Sequence, residues 1–64
     1  MTIPEELQEA LNDVAESYSE MLVVEPIWSD ITSAGKTAIK TKHSTVIDST
    51  VTKLEAIKAR INSL

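Results

Sequence analysis

The sequence predicts an all-α fold: a helix-turn-helix hairpin of two amphipathic, coiled-coil-like helices whose core is completed by oligomerisation. Three observations predict it. Large apolar residues near both ends recur at alternating three- and four-residue spacings, the signature of a helical stripe. Between them lie the chain's second proline, Pro26, and its only glycine, Gly35. Finally, a 64-residue chain hides only about 60% of its unfolded surface, and with no cysteine and one histidine it lacks the usual staples, so association remains. The expected organisation is one small helical domain, 1–64, with helix 1 at about 4–24, a joint at 25–35 and helix 2 at about 36–64. A break in helix 2 is allowed near 44–52.

In helix 1 the stripe is Leu7, Leu11, Val14, Tyr18 and Met21, spaced four, three, four and three. Thr2 and Glu5 have capping-box spacing, and Pro4 falls in a first turn that tolerates a missing N–H. Pro26 disfavours helical geometry at Glu25 and ends the helix there. With Leu7 at position d, the acids Glu6, Glu9, Asp13, Glu16 and Glu20 fall at c or f and are expected to face away from the seam. Positions e and g are Gln8, Ala10, Ala15, Ser17, Leu22 and Val24, mostly small or apolar, which widens the stripe beyond one contact. Glu9–Asp13 and Glu16–Glu20 are unfavourable like-charge pairs four residues apart.

The joint is expected to hold about one helical turn around 29–32, anchored by Ile27, Trp28 and Ile31. Trp28, the only tryptophan, reads as a plug where the helices meet. From Lys36 to Thr52 the β-branched residues give poor helix propensity, but no Gly, Pro or Asn-Gly turn signal supports a hairpin of strands, so helix is favoured. Leu54, Ile57, Ile61 and Leu64 continue the three-four spacing begun at Ile47 and Thr50, and Thr52 with Glu55 offers a second capping box should the helix restart.

The charges are segregated. Residues 1–35 hold eight acids and no Lys or Arg, whereas residues 36–64 hold six bases and two acids. Antiparallel arms would set Glu16 and Glu20 near Lys36 and Lys40, and the outward acids could equally meet the basic arm of a neighbouring subunit. No stretch is apolar enough to span a membrane, and glutamates stand where a secretory signal would have its basic and apolar regions. The expectation is a soluble chain without a membrane partner, consistent with cytoplasm or incorporation into a particle.

The candidate chemistry is thin. "DITSAGKT", residues 30–37, ends like a phosphate-binding loop, but that loop needs a glycine where Asp30 stands and a preceding strand. Gly35 instead reads as opening a turn before helix 2. His43 has Ser44 beside it, and helix neighbours do not face each other, so no nucleophile is built there. Its expected role is a polar residue at or beside the seam that sets register or responds to pH. No ligand cluster accompanies it, so neither metal nor other cofactor is expected. The basic residues are sparse and lack aromatic stacking platforms, which argues against nucleic acid.

The functional expectation is a non-enzymatic structural or assembly protein that binds itself or docks on a larger complex, such as a virion, secretion or adaptor assembly. The interaction residues expected are Leu7, Leu11, Val14, Tyr18, Met21, Trp28, Leu54, Ile57 and Ile61. The alternative is an acidic inhibitor or antitoxin-like protein that occupies a basic surface of its target.

Overall fold

Thr2 starts the first helix as the sequence predicts. In the computed structural model, which describes residues 1–64, its hydroxyl accepts from Glu5 N–H at 3.3 Å while its own N–H donates to Glu5 Oε1 at 3.1 Å. This reciprocal cap satisfies two donors that the helix cannot and opens α1, Ile3–Val24. The Thr2 hydroxyl also donates to Glu5 Oε1 at 2.8 Å, and this bond, followed by the one from the Thr2 N–H, holds the Glu5 carboxyl below its ordinary value.

At Pro26 the α-helical ladder stops and the chain tightens into a 3-10 segment, Glu25–Asp30, kinked at Ile27 (φ −111°, ψ 16°). Ile31 and Thr32 are extended, and α2 runs unbroken over Ser33–Asn62. The molecule is therefore all-helical, a hairpin with a rod shape of 49 × 16 × 15 Å.

The joint differs from its expected form. Helix 2 begins at Ser33, because Thr32 is its N-cap and accepts from Gly35 N–H at 3.1 Å. Gly35 lies inside the first turn with no positive φ, so conformational freedom is not its use. A Cβ there would stand 2.9 Å from Ile31 Cγ2 and 3.1 Å from Thr32 Oγ1. The glycine lets the capping threonine close onto the helix.

The β-branched stretch is helical throughout. Thr37, Thr45, Thr50 and Thr52 donate to the carbonyls of Ser33, Thr41, Val46 and Asp48, at 3.1, 2.9, 2.8 and 3.2 Å. Threonine hydroxyls that bond back one turn satisfy themselves within a helix, which removes one reason for these residues to leave it. Thr52 is engaged this way and forms no second cap, so the allowed break near 44–52 is absent.

Candidate functional site

The contact between the arms is narrow and built from small or polar groups. The buried residues are Ala10 and Ser17 of α1 and His43, Thr50 and Ile57 of α2. Each set repeats every seven residues, the interval that returns a residue to the same side of a helix packed on another. Alanine and serine let the backbones approach, but they contribute little apolar burial, and no large side chain is fully enclosed. The stripe Leu7–Leu11–Val14–Tyr18–Met21 is therefore not the intramolecular seam. It is rotated to one flank, and the acids occupy the other.

This corrects the expectation that the acids face away. Lys53 stands between Glu9, at 3.0 Å, and Asp13, while Lys42 stands between Glu16, at 3.2 Å, and Glu20, at 2.9 Å. Arg60 pairs with Glu6 and also donates to Met1 O at 3.3 Å. Each like-charge pair four residues apart thus receives one lysine from the opposite arm. Hydrogen bonds from Lys42, and then the contact with His43, hold the Glu20 carboxyl below its ordinary value. Glu20 and Glu16 raise Lys42, and Asp13 and Glu9 raise Lys53. The partner is Lys42 rather than the anticipated Lys36 or Lys40, because two residues along a helix rotate a side chain by about 200°. Lys40 belongs to the other flank, where its Nζ lies 6.0 Å from the centre of the Trp28 ring.

His43 sits in the seam, as expected, and its partner is Ser17. Ser17 Oγ is 2.6 Å from Nδ1, and Nε2 lies 3.3 Å from Glu20 Oε1, though not aligned as a hydrogen bond. A serine, a histidine and a carboxylate thus meet, but the surrounding backbone N–H groups are committed to the helical ladders. A developing oxyanion would find no donors in them.

The apolar flank forms a continuous trough. A groove of about 700 Å³ runs over Val14, Tyr18, Met21, Ile39 and Ile47, and a second depression of about 270 Å³ continues it over Leu7, Leu11 and Leu54. Leu11 and Tyr18 are 61% and 69% exposed, and Ile47, Leu54 and Ile61 are also open to solvent.

Of the expected interaction residues, Leu7, Leu11, Val14, Tyr18, Met21, Leu54 and Ile61 gather on or beside this flank, Ile57 lies buried in the seam, and Trp28 is half-buried at the joint. Ser17 and Thr50, which the spacing places beside and on the stripes, were not among the expected interaction residues, and the pairing of Lys42 and Lys53 with the acids of α1 was missed. The seven-residue repeats Ala10–Ser17 and His43–Thr50–Ile57 were the available signal, together with Lys42, Lys53 and Arg60 spaced to meet successive acids of an antiparallel arm. No helix is long and apolar enough to cross a membrane. Comparison with protein families, curated proteins and solved structures finds no match to this chain.

Proposed function

We propose that this protein is a non-enzymatic assembly component that completes its core by packing its apolar flank, in coiled-coil-like fashion, against itself or a larger protein complex such as a virion, secretion or adaptor assembly. One observation carries the reading. Only Ala10 and Ile57 form a buried apolar core, while Leu7, Leu11, Tyr18, Ile47, Leu54 and Ile61 stay exposed. A solvent-facing apolar stripe along the length of a hairpin is the mark of an interaction surface.

The alternative reading, an acidic binder of a basic target, would draw on Glu6, Glu9, Asp13, Glu16 and Glu20. All five already face a cation of α2, so the assembly reading has the better support. The Ser17–His43 pair is read as structural because its serine is buried and the backbone N–H groups around it are committed to the helical ladders.

The test compares Leu11→Asp and Leu54→Asp with Ala59→Asp, whose site lies on the side of α2 away from both α1 and the trough. The first two are expected to abolish either the native mass above 7.0 kDa or, in a monomer, the binding of an apolar dye, and the third to change neither. A 7.0-kDa species that binds no dye and ignores all three substitutions contradicts the proposal.

A further inference from the structure

Resting on that assembly reading, we propose that the occupant of the apolar flank is a second copy of this chain, related by a two-fold axis perpendicular to the helices. The result is a four-helix bundle in which α1 lies antiparallel on α1 and α2 on α2.

The area is of the right size. From their fractional exposures, the open apolar residues of the flank present on the order of 600 Å² per copy, against about 800 Å² per partner for a stable interface, and a polar rim supplies the remainder.

The borders of the trough decide how the copies meet. Along α1 the outer border is Gln8, Leu11, Ala15, Tyr18 and Leu22, with no charge. Along α2, Lys40 and Asp48 line the groove and Glu55 lies seven residues beyond Asp48, and none of the three forms an ion pair within the hairpin. Laying α2 against α1 of the second copy at the same height would set Lys40 against Leu22 and Glu55 against Leu7, removing water from charges that gain no partner. Laying like on like keeps the α1 border apolar and lets Lys40 and Glu55 of the α2 border pair across the axis.

The register then follows from the numbering. Lys40 lies seven residues before Ile47, and Glu55 lies seven after Asp48. An axis between Ile47 and Asp48 therefore sets Lys40 of each copy opposite Glu55 of the other, twice per dimer. The seam pairs Glu20–Lys42 and Glu9–Lys53 place that height of α2 beside Val14 and Ala15 of α1. The same axis through Val14 and Ala15 sets Leu11 opposite Tyr18 and Leu7 opposite Leu22 of the second copy. Both arms are thus self-complementary about one axis, with the ion pairs Lys42, Lys53 and Arg60 make with α1 left outside.

The experiment measures the dimer dissociation constant by sedimentation equilibrium for the unsubstituted chain, Lys40→Glu, Glu55→Lys and the double reversal. A parallel arm follows disulfide cross-linking of Ala15→Cys and Ala59→Cys in a chain that has no cysteine of its own. The expected result is a 14-kDa dimer, twice the 7.0-kDa chain. Each single reversal should weaken it about tenfold and the double should restore it to within about threefold. Ala15→Cys should cross-link and Ala59→Cys should not. A dimer that the double reversal does not rescue, or one in which Ala15→Cys fails to cross-link, overturns the arrangement. A 7.0-kDa monomer that binds an apolar dye through Leu11 and Leu54 overturns the second copy while the docking reading survives. A monomer that binds no dye and is indifferent to Leu11→Asp overturns both.

Discussion

Ser17 Oγ lies 2.6 Å from His43 Nδ1 in the middle of the seam, the one buried side-chain hydrogen bond between the two arms. The Glu20 carboxylate lies 3.3 Å from Nε2 without the alignment of a hydrogen bond, so Ser17 is the ring's one hydrogen-bond partner in the seam. A polar pair at this depth favours one register, because a slip of the helices would strand both groups without partners.

Ser17→Ala should therefore destabilise the hairpin by about 1–3 kcal/mol, because it leaves a buried ring nitrogen unsatisfied. The Ser17→Ala/His43→Leu double variant should recover part of that loss by removing the stranded group. Urea unfolding followed by helix circular dichroism checks both. A single variant as stable as the unsubstituted chain would show that the bond sets nothing.

Lys53→Gln should lower the thermal midpoint, because Glu9 and Asp13 then repel each other with no cation between them. Adding Glu9→Gln to that variant should raise the midpoint again. Both changes should shrink in high salt, since Lys53, Glu9 and Asp13 are all partly open to solvent. Melting curves at two ionic strengths measure this directly, and a salt-independent loss would assign Lys53 a packing role instead.

Stability should form a plateau in pH with a decline on each side. The Glu20 carboxyl is held below its ordinary 4.5 by Lys42 and then His43, so its contribution is present above that value and is lost as pH falls through the folded-state pKa. Lys42 and Lys53 are held above their ordinary 10.5, so their contribution is complete below that value and is lost as pH rises through their folded-state pKa values. Glu20→Gln should flatten the acid limb and leave the part of the basic limb due to Lys53. Midpoints measured across the pH range test the sign on each side.

Both arms were legible in the sequence from the spacing of Leu7–Met21 and Leu54–Leu64, and the first cap from Thr2 and Glu5. Which face the arms turn to each other was not. Bulky side chains suggest a core, yet the residues of α1 that the two arms bury between them are Ala10 and Ser17. With those in the seam, Glu6, Glu9, Asp13, Glu16 and Glu20 come within reach of α2's cations, an arrangement that a wheel of one helix alone does not reveal. Poor propensity over 36–52 likewise obscured a continuous helix, because its threonines bond back to their own backbone.

The most direct test of the central claim is native mass and helix content followed together down a dilution series. A hairpin that encloses no large side chain should hold its helices only while the apolar flank is covered, so mass and helicity should fall together as the protein is diluted. A fully helical 7.0-kDa monomer that persists to the lowest concentration and binds no apolar dye would contradict the account.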